Sequence, residues 1–321
     1  MAIVRFLIKR IVAIILTMSG VIAVAYVMMY YAPGSFFSSS QIASALGQLA
    51  VQDPHAYQVT LKMFEERYGL DKPLWEQVLK YIWYSLTFNF GNSYENPNVS
   101  IISQLKVALP ISLELAFGSV VVALIIGLPL GIIAALKRNS WLDYTLSTLS
   151  MTGQAIPAFV LAVLFILLFG VVWPGTLPIN GWGTFGNVVL PVLSLAAPNI
   201  GTFARFVRGS LIEVLRQDYI RTAQAKGVPY WRMIFRHAIR NSLTALITVV
   251  GPTFAFTVVG TVWVEDIFGI PGLGKMLASA FGNLDYPLAI TSVYLLCMLV
   301  MVTNLIVDLC YAWLDPRVKL E

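Results

Sequence analysis

Long apolar runs separated by short polar intervals set the rhythm of this chain. A bilayer core is about 30 Å thick and a helix rises about 1.5 Å per residue, so about 20 apolar residues span it. Six stretches reach or approach that length: Ile11–Tyr31, Ala108–Leu136, Leu146–Trp173, Val188–Ala204, Leu243–Trp263 and Pro287–Trp313. The third has room for a span plus an interfacial turn. The fourth is short and carries Pro191, Pro198 and Asn199. The pattern predicts an all-α integral membrane protein with six transmembrane helices. The first run follows Arg5, Lys9 and Arg10, as a signal peptide would. It is longer than a signal core, however, and ends in tyrosines without a small-residue cleavage site, so it reads as an uncleaved span.

The first two runs are separated by a loop, roughly Ala32 to Lys106, too long for a simple turn. Two of its segments are amphipathic, Gln58–Tyr68 and Leu74–Leu86, the latter with Trp75, Val78, Leu79 and Ile82. Dense Trp and Tyr suit a membrane interface. A small ordered subdomain with short helices is expected, with the Ser-rich Ser35–Ser44 its most mobile part.

Composition agrees: 58% of the residues are hydrophobic and 12% charged. Placing the N-terminus in the cytoplasm puts fifteen of the 21 Lys and Arg on that side and six outside, as the positive-inside rule requires of six spans with both ends inside. Eight of the fifteen lie between Arg205 and Arg240. At about 2.5–3.5 kcal/mol each, burying them in lipid would cost over about 20 kcal/mol. This segment therefore belongs to the cytoplasm, between spans four and five. Within it Leu211, Leu215, Tyr219 and Ala223 recur every fourth residue, and Gly227 and Pro229 suit a helix stop and a new start. Trp231, Ile234, Phe235 and Ala238 then follow helical spacing. The expected loop is helix, Gly break, helix. Two readings fit it: a basic loop on anionic headgroups, or a short helix offered to a partner's groove.

Chemistry is sparse. Cys297 and Cys310 lie about 20 Å apart on one helix, His55 and His237 lie in different loops, and no metal spacing or nucleophile pair appears. No cofactor and no nucleic-acid partner are implied. The segment "GIPGLGKM", Gly269–Met276, nearly matches a phosphate-binding loop. Met276 replaces the Ser or Thr that would hold magnesium, no βαβ context surrounds it, and the charge topology places it outside. The acidic residues within the predicted spans are Glu114 and Asp308. Asp308, near the inner end of span six, reads as structural. Glu114, near the outer end of span two, reads either as structural or as lining an outer mouth that attracts an ammonium group. A relay of Asp, Glu and His through the spans is missing, which weakens a proton-coupled transporter, and no protease constellation or carbonyl filter appears. Helix breakers are plentiful: Gly127-Leu128-Pro129-Leu130-Gly131, Pro157, Pro191, Pro198 and Pro252. They are either packing kinks or the lining of a translocation pathway through spans two to five.

The stretch "DYIRTAQAKGVPYWRMIFRHAIRNS" resembles the EAA loop of ABC importer permeases, in the form of the oligopeptide/dipeptide/nickel group. Arg221-Thr222-Ala223 stand where the generic loop has Glu-Ala-Ala, and Gly227 is its Gly. Ile239-Arg240 replace its Leu-Pro ending. Three further segments resemble the same group in the same order: "RYGLDKPLWEQ" (Arg67–Gln77), "VEDIFGIPGLGKMLASAFGNLDYP" (Val264–Pro287) and "VDLCYAWLDPRVK" (Val307–Lys319). The long first outer loop is similar to that of the B-type permeases of such systems.

The resemblance implies a type I ABC importer permease fold with a helical outer subdomain between helices 1 and 2. It divides the chain into 1–31 (N-terminus and first span), 32–106 (outer subdomain), 107–314 (permease core, with a coupling loop at 205–240) and 315–321 (cytoplasmic tail). It implies a multi-pass protein of the cell membrane that works with a homologous second permease, two ATPase subunits and an extracytoplasmic substrate-binding protein. ATP hydrolysis would belong to the partners, and peptides would be the cargo. An ion-coupled secondary transporter, or a permease for a nickel chelate or an oligosaccharide, is the alternative. The residues implied at the ATPase are Asp218, Tyr219, Arg221, Thr222, Ala223, Lys226, Gly227, Val228, Trp231, His237, Arg240 and Asn241. Those implied along the pathway are Glu114, Pro157 and Asn199. Those implied at the binding protein are Asp71, Pro271, Gly272, Gly274 and Lys275.

Overall fold

A computed structural model describes residues 2–32, 50–95 and 98–314. The Ser-rich stretch Ser35–Ser44, the 315–321 tail and the Asp-Pro-Arg of the C-terminal motif lie outside the described residues. The described residues divide into two compact units, one within Met1–Ile111 and Pro271–Val302, the other formed by Ser112–Ile270 and residues 303–314.

In the first unit, α1 (Ala2–Tyr30) begins the chain, and α2 (Pro54–Tyr68) and α3 (Leu74–Leu86) form the expected outer subdomain. Asp53 caps α2 by accepting the backbone N–H groups of His55 and Ala56, both at 3.0 Å, and Pro54 opens the helix. The "RYGLDKP" motif is the turn between the two helices: Gly69 adopts φ +72 and Pro73 starts α3. The two faces of α3 are the reverse of a soluble helix. Its apolar residues Trp75, Leu79 and Trp83 are exposed, while Gln77 and Ser85 are buried. Gln77 accepts the Tyr26 hydroxyl of α1 and donates to the Lys72 carbonyl at 2.7 Å. The rings of Tyr26 and Tyr81 stand 5.0 Å apart. The polar face is therefore the one that docks on α1, which leaves the Trp face exposed. Two helices complete the unit, α11 (Leu273–Gly282) and the first part of α12 (Tyr286–Leu314). Asp285 caps α12 and also accepts the Tyr94 N–H at 3.1 Å and the Glu95 N–H at 3.3 Å.

The second unit takes most of α4 (Ile101–Leu136), then α5 (Trp141–Ala155), α6 (Ala158–Leu167) and a π-helical turn at Leu168–Val172. It continues with α7 (Phe185–Val214), α8 (Asp218–Ala225) and α9 (Tyr230–Met233). A second π-helical stretch at Ile234–Ile239 leads into α10 (Arg240–Ile267).

Five described helices are long and apolar enough to cross a membrane, or six if α5 and α6 form one broken span. That pair replaces the single third span of the sequence reading. The two helices meet at 94°, because Ile156 precedes Pro157 and so takes extended backbone instead of helix. The fourth span extends well beyond Ala204, to Val214.

The other suspected breakers do not break their helices. Residues Gly127 to Gly131 lie inside unbroken α4, and Pro191, Pro198 and Pro252 lie inside α7 and α10. Gly131 instead lets two helices meet: a Cβ there would stand 2.4 Å from the Ala204 carbonyl oxygen of α7. Gly201 does the same toward α5, where a Cβ would stand 2.1 Å from the Ser150 carbonyl oxygen. Small residues that bring backbones together are the usual means of packing helices in lipid.

The P-loop look-alike is a helix end. Gly269 at φ +66 closes α10, with the Ile270 N–H returning to the Glu265 carbonyl at 2.8 Å. The next residues start α11, so the glycines serve a turn between helices and not a strand-to-helix phosphate cradle.

Candidate coupling surface

The basic loop folds onto the ends of the second unit's helices. An eight-residue helix such as α8 cannot hold its own shape in water, so it needs an anchor. Ile220, 3% exposed, provides it, buried with Ala135 of α4, Leu211 of α7, and Met233, Ile234, Ala238 and Ile239. Burying such a side chain contributes about 1.5–3 kcal/mol. Ala223 and Val228 pack against the same cluster.

The α8 helix ends in a Schellman turn. The Val228 N–H reaches back to the Ala223 carbonyl at 3.2 Å, and the Gly227 N–H reaches the Gln224 carbonyl at 3.0 Å. Gly227 has φ +73, a left-handed conformation that costs L-residues about 1–2 kcal/mol.

Both apolar faces differ from the simple periodicity. The helix of α7 stops at Val214, and the intervening turn shifts the phase, so the buried anchor is Ile220, which lies off the four-residue series. Tyr219 is 42% exposed, and its hydroxyl accepts the Asn241 side-chain N–H at 2.8 Å. Beyond Pro229, the π-helical stretch spaces the buried pairs five residues apart, Met233–Ile234 and Ala238–Ile239. That spacing leaves Trp231 and Phe235 outside, 60% and 63% exposed. The two rings lie 5.9 Å apart, with Tyr230 5.5 Å from Trp231.

Of the loop residues singled out by sequence, Asp218, Arg221, Thr222, Lys226, Trp231, Arg240 and Asn241 are exposed and His237 is half-buried. Arg221 and Asp218 sit 3.8 Å apart, a solvated pair that contributes little. The result is a rigidly seated helix and turn with a polar, largely basic outer face beside an aromatic patch.

Sequence reasoning missed the clamp beneath this surface. Asp143, buried at the start of α5, accepts two hydrogen bonds from Arg208 of α7, at 2.6 and 2.8 Å. It also accepts the Asn139 N–H at 2.9 Å, and Asn139 itself is in left-handed conformation. The Ser140 hydroxyl caps α5 through the Asp143 N–H. The fork geometry joins the α4–α5 turn to the C-terminal part of α7. Its sequence signal was Ser140 three residues before Asp143, a helix-start pattern; the Arg partner lies 65 positions away.

The other two sets are less coherent. Pro271, Gly272 and Lys275 line a cleft of about 310 Å³ with Gln104, Val107 and Ala108, and Gly274 is buried in α11. Asp71 lies in the α2–α3 turn and is not part of that cleft. Among the pathway candidates, Glu114 is exposed on α4 and Pro157 caps α6. Asn199 is occupied in joining helices: it donates to Thr257 of α10 at 3.0 Å. Glu265, completely buried near the end of α10, lay just outside the predicted fifth span and was overlooked.

Residues 127–320, which include this whole surface, match the family described as binding-protein-dependent transport system inner membrane component. The chain belongs to that family. It is 38% identical over 317 residues to the dipeptide transport system permease protein DppB of Bacillus subtilis (strain 168), covering 99% of this chain and 98% of that protein. It is 34% identical to the oligopeptide transport system permease protein OppB of Haemophilus influenzae, covering 98% and 99% of the two chains. Among solved structures it is similar to the inward-facing MetNI methionine ABC transporter. There the TM-score is 0.55 at 21% identity, over 67% of this chain and 98% of that one. The chain is thus a multi-pass membrane component of a binding-protein-dependent ABC importer, with the helical fold of an importer permease. Membership implies ATPase and substrate-binding partners.

Proposed function

We propose that this chain is one of two homologous permease subunits of an ATP-driven importer of short peptides, and that α8 with its Gly227 turn is the element docked in the ATPase. One observation carries the reading: a helix too short to stand alone is anchored on one side by Ile220, while Asp218, Arg221, Thr222 and Lys226 face outward. A loop needed only for topology does not require such an ordered mount. The peptide cargo follows from the names of the relatives. Two ATPase subunits would hydrolyse the ATP, and an extracytoplasmic binding protein would deliver cargo to the outer side. The N- and C-termini and the 205–240 loop face the cytoplasm, the 32–106 subdomain lies outside, and 107–314 forms the core. Pro271, Gly272, Gly274, Lys275 and Asp71 are assigned to the binding protein, and Glu114, Pro157 and Asn199 to the pathway.

Transport is alternating access. ATP closes the ATPase dimer, α8 moves with it, and the Ile220 cluster and the Asp143–Arg208 clamp transmit the motion to α4, α5, α7 and α10. Nucleotide can bias the helices only by as much as α8 binds one ATPase state better than the other, and a near-complete switch needs about 5.5 kcal/mol across the complex. The test is ATP-dependent dipeptide uptake by vesicles carrying Arg221→Glu. Uptake falls at least tenfold while the amount inserted stays the same. Uptake at the wild-type rate would remove Arg221 from the docking face.

A further inference from the structure

The helix α3 presents three sides, and coupling uses none of them. One side holds α1: Gln77 accepts the Tyr26 hydroxyl, and the Tyr81 ring stands 5.0 Å from the Tyr26 ring. A second side carries Trp75, Leu79 and Trp83 at every fourth residue, each more than half exposed. At about 3.6 residues per turn, Glu76 and Lys80 fall between these two sides. Phe88, just past the helix end, is also more than half exposed. A contiguous exposed apolar patch marks an interaction surface. What covers this one follows from its height along the spans that hold it.

Two contacts measure that height. The apolar run 11–30 of α1 has 20 residues, about 30 Å of helix, and so fills a bilayer core. Arg10 marks one boundary of the run, and Tyr30 and Tyr31 mark the other. Tyr26 lies four residues, about 6 Å, inside the Tyr30 boundary. The second mark is on α12, whose first residue, Tyr286, is level with the same part of α1. The Tyr286 hydroxyl donates to the Met29 carbonyl at 3.1 Å, and its ring stands 5.7 Å from that of Tyr26. Tyr294 lies eight residues, about 12 Å, further along this span. Its ring is 6.1 Å from that of Phe88 and 5.9 Å from that of Phe90. Helical side chains lean toward their own N-terminus. That carries the Tyr26 ring deeper and the Tyr294 ring back toward the boundary, so the two marks converge. Both place the patch on the bilayer side of the boundary, on the order of 10 Å deep, which is the depth of an interfacial helix.

We infer that α3 and the Phe88 segment form a membrane-surface anchor. Trp75, Leu79, Trp83 and Phe88 are immersed in the lipid leaflet at the Tyr30 end of α1, with Glu76 and Lys80 at its headgroups. The anchor sets the height at which the subdomain of α2 and α3 sits on the bilayer. A soluble protein would have to reach below the headgroups to cover this patch, so its occupant is lipid. The inference does not depend on the coupling role of α8.

The test uses the full-length chain in phospholipid nanodiscs, with Cys297 and Cys310 replaced by Ala. Single cysteines carrying a nitroxide are placed at Trp75, Leu79, Trp83 and Phe88, with Glu76 as control. Power saturation compares collisions with oxygen, which concentrates in lipid, and with a neutral nickel chelate, which stays in water. At the four apolar positions oxygen collisions should exceed chelate collisions severalfold, and at Glu76 the order should reverse. Excess chelate collisions at the four positions would mean that the patch faces water. Few collisions with either reagent would mean that protein covers it. Either result overturns the proposal. Unlabelled protein gives a second reading. The emission of Trp75 and Trp83, taken as the difference between wild type and Trp75→Phe/Trp83→Phe, should be quenched by phospholipids brominated in the upper acyl chain. An unquenched difference overturns the proposal as well.

Discussion

Gly227 offers the sharpest separation of backbone shape from surface contact. Its φ of +73 is unfavourable for any L-residue, yet a Cβ built there meets nothing within 4 Å. Substitution therefore acts through conformation and not through collision within this chain. Alanine should cost about 1–2 kcal/mol, and asparagine clearly less, because Asn is the residue most often found after Gly at such a cap. Valine should be worst. A penalty of 1–2 kcal/mol lowers the population of the closed turn by about 5- to 30-fold. Hydrogen exchange in nanodiscs reads this directly at the amides of Lys226 and Val228, bonded to the Thr222 and Ala223 carbonyls. Exchange should accelerate by that factor in Gly227→Ala and only a few-fold in Gly227→Asn, with dipeptide uptake falling in the same order. Equal exchange in the two variants, or none faster than wild type, would mean that the left-handed conformation at Gly227 does not hold the turn closed.

Gly201→Ala should lower the thermal midpoint by several degrees, because its Cβ meets the Ser150 backbone at 2.1 Å and overpacking costs about 1–3 kcal/mol. Gly209→Ala, on the same helix with nothing within 4 Å, should instead be neutral or stabilising by up to about 1 kcal/mol. A similar loss in both would show that α7 tolerates no alanine for reasons other than close approach. Asp143→Ala should destabilise by about 3 kcal/mol, the low end for a buried pair, since the Arg208 side chain is 32% exposed. In a double-mutant cycle, adding Arg208→Ala to Asp143→Ala should cost less than it does alone; strict additivity would mean the clamp contributes no coupling.

The apolar runs made the membrane class, most spans and the outer helices legible, because length and composition alone determine whether a segment suits lipid. Leu74–Leu86 was read with its observed bounds. The errors have physical causes. Gly127 and Gly131 read as breakers because their intrinsic helix propensity is poor, but in lipid a small residue is kept for helix contact. Only a partner 73 positions away, Ala204 for Gly131 and Ile200 for Gly127, reveals that use. The phase of α8 and of the π-helical stretch was lost because a short turn and a changed residues-per-turn leave no mark on a four-residue periodicity. Tyr219, Trp231 and Phe235 were therefore grouped by spacing with residues that are buried, and Ile220 was left out of the series. The Asp143–Arg208 clamp and the Tyr219–Asn241 bond join residues far apart in the chain, which no local pattern reports. Asp285 was within reach: Asp, then Tyr-Pro, is a helix-start signal, though nothing local shows that the same carboxylate also holds the Tyr94–Glu95 backbone.

In the proposed mechanism the outer face of α8 touches an ATPase subunit. A photo-crosslinking amino acid placed at Thr222 tests it in intact cells, with the same probe at the exposed Trp75 of α3 as control. One crosslinked product is expected from Thr222, containing a nucleotide-binding protein and weakened when ATP is trapped or removed, and no such product from Trp75. Crosslinks from Thr222 to lipid alone, or the same nucleotide-binding partner from both positions, would contradict it.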